Sequence, residues 1–357
     1  MRTLAAIVLT SASLISYGQT TQKLTASKLN EYGLIYTLPT TVIDVTVEAK
    51  KTVKIPGEFY KYSTKYLGIQ PITERSEEWS LESVTVNPRG IANEEEKYLV
   101  QFKNGSTPYM LLDNNDFPLT VNSETYTPPA APNLPVSVAA QPTILQTPYA
   151  AQAITEEMLQ STSSAKRAEL AAQKIYELRQ SRNDIISGKA DQMPTDGESM
   201  RLVLNNLEQQ EAALTAMFTG TTQTSTSVRT YTVKPTEEIQ SKQVAARLSI
   251  TDGPVDVSDL SGDPIYIEMK VTSKGELPKN EKGEEKKFPK GGLAYRIPGS
   301  IDVNVTMRGQ NFYRGNMDIA QLGVVFGLDP ALFTDKKAPA YVIFDGTTGA
   351  IMEIGTK

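Results

Sequence analysis

The chain contains no cysteine and no histidine, and a single tryptophan, in 357 residues. Without imidazole or thiolate it lacks the ligands that hold zinc and copper tightly, so sites for those metals are excluded on chemical grounds. Ser-His and Cys-His mechanisms fall with them, as does general acid–base work by histidine. What stays open to catalysis is a carboxylate pair or a Ser-Lys arrangement, and no organic cofactor motif is present. The lack of cysteine also removes disulfides and the cysteine-attached lipid of lipoproteins. A mature chain of about 340 residues buries enough apolar surface to fold without disulfides. No strong excess of one charge exists either: 36 basic residues stand against 41 acidic, a formal net charge of −5. No basic stripe runs along the chain, which argues against a nucleic-acid partner.

Long hydrophobic runs are scarce. The one at the amino terminus follows Arg2, covers residues 4–15, and gives way to Ser16, Tyr17 and Gly18. It is shorter than the ~20 residues a spanning helix needs. With its charged start and small-residue end it predicts a cleaved secretory signal over residues 1–18. The expected address is therefore the cell envelope or beyond, without a membrane span in the mature chain.

Alternating apolar and β-branched residues predict strands at 32–47, 53–62, 79–86, 98–103 and 109–112, separated by Pro56-Gly57, Asn87-Pro88-Arg89-Gly90 and Asn104-Gly105. These make an antiparallel β domain over 19–126. Six prolines between residues 127 and 148 predict a semi-rigid connector, assigned to 127–153. Ile154, Met158, Ala165, Ala168, Ala172, Ile175 and Ile186 then recur at helical spacing, which predicts a helix of roughly 50 Å. A second helix is expected from Thr195, with Glu198 completing a capping box and Met200, Val203, Leu207, Leu214 and Met217 on one face. Together they form a helical hairpin over 154–220. Strand periodicity returns at 228–233, 244–250, 265–271, 294–297, 301–307 and 340–344, with a charged loop between Lys274 and Lys290, in a second β domain over 221–357. The expected class is α+β, with two related, sandwich-like antiparallel β domains, or two halves of one pseudo-symmetric sandwich, separated by the Pro-rich linker and the helical hairpin.

The relation between those domains rests on an internal repeat. Gly33, Leu34, Tyr36, Pro39, Ile43, Asp44, Val45 and Val47 align, with one gap, to Gly292, Leu293, Tyr295, Pro298, Ile301, Asp302, Val303 and Val305. The echo is extended by Phe59-Tyr60-Lys61 with Phe312-Tyr313-Arg314, and by Leu67-Gly68-Ile69 with Leu322-Gly323-Val324. Glycine and proline are expected to shape a bend and the Ile and Val side chains to face a core. Asp44 and Asp302 are expected to face solvent, or to be gathered by the pseudo-symmetry.

Few residues carry chemistry. Ser163 and Lys166 have Ser-x-x-Lys spacing, but no supporting motif of that enzyme class follows. Glu94, Glu95 and Glu96 form a charge run suited to a solvated loop. Asp252, Asp256, Asp259 and Asp263 are a candidate set of oxygen ligands for calcium, though off the EF-hand spacing. Asp113 to Asp116 spell a turn. Tyr60 and Tyr62, expected on one strand face, form with Tyr66 and Trp79 a candidate aromatic platform for a glycan or peptide, with core packing as the alternative. Arg179 and Arg182 interrupt the seam between the two helices, where they either pair with Glu208 and Glu211 or meet a partner protein.

The stretches YGLIYTLPTTVIDVTVEAK, AELAAQKIYELRQSRNDIISGKADQMPTDGES, GGLAYRIPGSIDVNV and AQLGVVF resemble a family of exported proteins of unknown function common in Bacteroides and its relatives. The resemblance covers about residues 32–354 and implies a periplasmic or outer-membrane-associated address, with no catalytic residues to carry over. The expected function is a non-enzymatic envelope protein that engages other envelope proteins. The alternatives are a glycan- or peptide-binding module and, third, a carboxylate-dependent hydrolase.

Overall fold

Proline kinks in two long strands organise the molecule. The computed structural model describes residues 20–23, 33–101, 109–193, 196–236, 242–333 and 339–356. Residues 1–18, Asn104-Gly105 and Thr195, to which expectations attach above, lie outside these. The chain is mostly β, in several antiparallel sheets with a few helices.

The first sheet has the order β1-β3-β2-β6, with β1 Thr20–Lys23, β2 Leu34–Ile55, β3 Ser76–Gln101 and β6 Thr221–Val233. The second runs β11-β10-β9-β7-β8: Gln310–Leu328, Leu293–Met307, Asp263–Ser273, Lys242–Ser249 and Gly253–Val255. The third runs β13-β12-β5-β4: Ile351–Thr356, Ala340–Phe344, Pro118–Val121 and Met110–Leu112. Of the expected turns, Pro56-Gly57 follows the end of β2, but one is absent because a strand runs through it. Asn87-Pro88-Arg89-Gly90 lies inside β3, where Pro88 pairs with Ile43 of β2 on a stretch that β1 does not reach. A strand with one free edge tolerates the missing N–H.

Both copies of the repeat bend at their proline. The register shifts between Thr37 and Pro39 in β2, and between Ile297 and Gly299 in β10. Before the kink, Tyr36 and Leu38 join Leu293 and Ala294 in a core closed by the third sheet. After it, Ile43, Val45 and Val47 face Ile301, Val303 and Val305 in a second core between the first two sheets. Each core thus draws residues from both sides of position 220, and the repeats meet in shared cores. A glycine on the partner strand permits each kink. A Cβ on Gly90 would stand 2.2 Å from the Gly346 carbonyl oxygen and 3.2 Å from Pro39; one on Gly323 would stand 2.3 Å from the Ile297 carbonyl oxygen and 2.8 Å from Pro298. The counterpart of Gly323 is therefore Gly90, not Gly68. The extended echo does not hold in space: Phe59-Tyr60-Lys61 and Leu67-Gly68-Ile69 lie in a short helical excursion between β2 and β3, whereas their supposed partners lie in β11.

Between the copies, the Gln321 amide accepts from Thr41 N–H (3.0 Å) and donates to the Thr41 carbonyl (2.7 Å) and the Pro235 carbonyl (2.9 Å). This satisfies the buried backbone where the ladder breaks. The Pro-rich connector does not stand free. Residues 129–132 lie beside Asn87 and Pro88 of β3, and Val138 exchanges both backbone hydrogen bonds with Thr226 of β6. Since β3 and β6 flank β2 on opposite sides, the connector crosses the outer face of the first sheet and shields the β6 edge.

The helices are α1 Ser63–Leu67, α2 Pro148–Ala153, α3 Glu156–Gln160, α4 Ser164–Ile186 and α5 Gly197–Thr219. The expected 50 Å helix is broken. Thr155 caps α3, Ser163 caps α4 by accepting from Lys166 N–H, and α4 alone is about 35 Å long. Asp196, next to the expected Thr195, caps α5 through Ser199 N–H. The base of the hairpin packs Ala168, Ala171, Ala172, Ile175, Leu214 and Phe218 around Phe59 and Met158, while Ala165 is exposed. The last carbonyls of α5, otherwise orphaned, are taken by the β2–β3 excursion: Met217 by Phe59 N–H (2.7 Å), Phe218 by the Ser63 hydroxyl (2.8 Å) and Thr219 by Ile72 N–H (2.8 Å).

Candidate functional site

The residues singled out from the sequence do not converge. β2 ends at Ile55, so Tyr60 and Tyr62 lie in a single 3-10 turn and not on a strand face. Tyr62 packs with Tyr66 at the hairpin base, whereas Trp79 of β3 packs on the core between the first two sheets. Gly253 lies close against the indole of Trp79, and Lys51 Nζ stands 5.7 Å from its centroid. The four rings form no common platform, because Trp79 lies on a different core from Tyr62 and Tyr66.

The four aspartates around β8 are each committed elsewhere. Asp252 accepts from the Ser249 and Thr251 hydroxyls, Asp256 pairs with Arg229 (2.7 Å), Asp259 accepts from Ser261 N–H, and Asp263 pairs with Arg308. Among the described residues no three Asp, Glu, His or Cys side chains are grouped to hold a metal ion. Ser163 and Lys166 serve the α4 cap, and Lys166 Nζ turns to Glu169 (3.0 Å). Glu94 and Glu96 sit in β3, where they bind Lys97 and the Tyr98 hydroxyl. Burial, followed by that bond to Glu96, raises the Tyr98 pKa far above its ordinary value. Asp44 and Asp302 lie in different sheets. Burial opposes ionisation of Asp44, but the Arg89 guanidinium (2.6 Å) and the Thr232 hydroxyl (2.7 Å) outweigh it and hold the carboxyl below its ordinary range.

Arg179 and Arg182 do converge, on Glu211 of the facing helix. Arg179 Nε donates to Oε1 at 2.6 Å, and Arg182 Nη1 lies 2.9 Å from Oε2, off the hydrogen-bond line. Glu208 borders the same groove without an ion pair there. The intramolecular reading of these arginines is the one the geometry supports.

Two surfaces with exposed or cleft-lining apolar side chains stand out. Beyond Glu211 the hairpin core thins to Leu207 and Ile185. Ile186, expected on the buried face, is 66% exposed, with Leu202 at 57%, Met193 at 41% and Val203 at 40%. Between residues 184 and 206 the acidic Asp184, Asp191, Asp196 and Glu198 outnumber Lys189 and Arg201. The second surface is a cleft of about 380 Å³ at the open end of the first two sheets, with Trp79, Leu81, Ile250, Met307 and Phe312 as walls and Glu78, Arg308 and Gln310 at the rim. Helical periodicity did mark Val203, but it carries no information on where the facing helix stops. No described helix is long and apolar enough to cross a membrane.

Comparison with known proteins finds one family model, described as Domain of unknown function (DUF4831), matching residues 32–352. No curated protein and no solved structure matches.

Proposed function

We propose, for a chain that belongs to the DUF4831 family, a non-enzymatic role in the cell envelope: a sandwich-like β body holds the helical hairpin, whose distal half docks on a partner protein. The protein is exported through its first 18 residues and acts in the periplasm or at the outer membrane. The observation that carries the reading is the exposure of Ile186, Met193, Leu202 and Val203 on the distal part of the hairpin. Exposed apolar groups gathered on one element mark interaction surfaces. The surrounding acidic excess calls for a partner with an apolar groove flanked by basic side chains. Labelled protein is expected to bind envelope fractions saturably, in a protease-sensitive and salt-sensitive manner, and the double variant Ile186→Ser, Leu202→Glu to lose that binding while melting normally. Undiminished binding by the folded variant contradicts the proposal, and self-association of the pure chain lost in the same variant replaces the partner with a second copy.

The Trp79 cleft favours a second reading, a module that receives an aromatic or aliphatic peptide side chain. Its volume lies within the range of small-ligand pockets, and Trp79, Leu81, Leu248, Ile250, Met307 and Phe312 supply the apolar part of a lining that also holds polar groups. Trp79 is the sole tryptophan, so its emission reports occupancy directly. Short peptides rich in Phe and Leu are expected to shift it, and an unchanged spectrum at millimolar peptide removes this reading.

A further inference from the structure

The two copies of the repeat differ in what lies over their outer faces. The arrangement β3-β2-β6 in the first sheet matches β11-β10-β9 in the second, with Asp44 opposite Asn87 and Thr232 in one copy and Asp302 opposite Asn316 and Lys270 in the other. In the first copy the aspartate is saturated by Arg89 and Thr232, and the connector crosses the face, where the outward-pointing Thr46 is only 1% exposed. In the second copy the connector borders only the β11 edge at Asn316 to Asp318, and no connector residue lines the face around Lys270 and Arg314. Asp302 is exposed and receives a single amide bond, from Asn316 Nδ2 at 3.1 Å.

A depression of about 540 Å³ opens at this uncovered face, lined by Glu268, Lys270, Asp302, Asn304, Asn311 and Arg314. The register sets these groups in two adjacent rows. Lys270 and Asp302 are cross-strand neighbours in one, and Glu268, Asn304 and Arg314 in the next. Neighbouring strands stand about 4.8 Å apart and same-face residues about 7 Å apart along a strand, which spaces the planar polar groups closely over a small area. Glu268 is held by Lys242 at 3.1 Å. Lys270 and Arg314 have no ion-pair partner among the described residues. The unspent charge is thus two cations against the single carboxylate of Asp302.

We infer that this face binds an acidic saccharide. Carboxylate and carboxamide groups accept from and donate to vicinal hydroxyls, while the guanidinium of Arg314 and the ammonium of Lys270 receive the sugar's carboxylate, Arg314 through its planar fork. A nucleotide fits poorly: the one aromatic ring on the neighbouring surface, Tyr266, has Lys242 Nζ 4.5 Å from its centroid, which leaves no free stacking platform. An extended peptide finds no exposed apolar side chain in the lining to anchor it.

The test is calorimetric titration of the exported chain with tetrasaccharides containing glucuronate, galacturonate or sialate, beside neutral mannotetraose and tetraglutamate. At least one acidic sugar is expected to bind, about tenfold more weakly to Arg314→Ala and to Lys270→Ala, with a further loss in Asp302→Asn and on raising the salt. Melting of each variant is expected to be unchanged. The inference is overturned if no acidic sugar binds, if the variants bind as tightly as the parent, or if mannotetraose or tetraglutamate binds equally well. The Ile186→Ser, Leu202→Glu variant is expected to keep full sugar binding, which separates this site from the hairpin surface.

Discussion

Asp44 and Gly323 show how single residues carry the fold. Asp44 ionises more readily in the folded chain than in the unfolded one, because Arg89 and Thr232 bind its charged form. Its contribution is therefore present above the unfolded carboxylate value near 3.9 and is lost as pH falls through the lower folded value. Arg89 is half exposed, which limits the pair to about 1 kcal/mol. Asp44→Asn is expected to cost that much in denaturant unfolding at pH 7 and to approach the parent by pH 3; a cost that is the same at both values contradicts the assignment. Gly323→Ala drives a methyl into the Ile297 carbonyl and Pro298, so a loss of about 1–3 kcal/mol is expected by the same assay. Sequence periodicity placed both prolines and the Ile and Val side chains of the kinked strands correctly. It missed Gly90 and Gly323 as a pair, because their kinship is spatial: each faces a proline on the neighbouring strand, at a different distance along the chain.

At the scale of elements, the helical hairpin was legible as two helices but not in its internal breaks. The apolar pattern continues from Ile154 to Ile175 across Thr155 and Ser163, and only the capping hydroxyls, which compete locally for backbone N–H groups, start a new helix at each. Likewise, Ile185 rather than Ile186 faces the seam, a one-residue phase error that a 3.6-residue period accumulates over a long helix. Glu211 holds the upper seam by neutralising Arg179 and Arg182. Its replacement by alanine leaves two partly buried guanidinium groups, three residues apart on α4, without their shared carboxylate, and a loss of about 1–2 kcal/mol is expected. Hydrogen exchange is expected to quicken in α4 and α5 with the β strands unaffected. Uniform loss of protection throughout the chain contradicts a local role for this triad.

For the whole molecule, the repeat was visible in the sequence and left open two domains or two halves of one sandwich; the strand partners that decide between them were not visible. Pairing of β6 with β2, and of β12 with β5, joins residues more than a hundred positions apart, and no local pattern specifies such partners. Because each core takes side chains from both copies, thermal unfolding of the β body is expected to be one calorimetric transition, with equal calorimetric and van't Hoff enthalpies. Two resolved transitions of similar size contradict shared cores. The functional account rests on the claim that the distal hairpin is held out to be bound. A photo-crosslinking side chain placed at position 202, with position 281 in the charged loop as the control, measures this in intact cells. The account predicts a discrete protein adduct from position 202 that Ile186→Ser weakens, and none of that mass from position 281; no adduct from 202, or the same products from both, contradicts it.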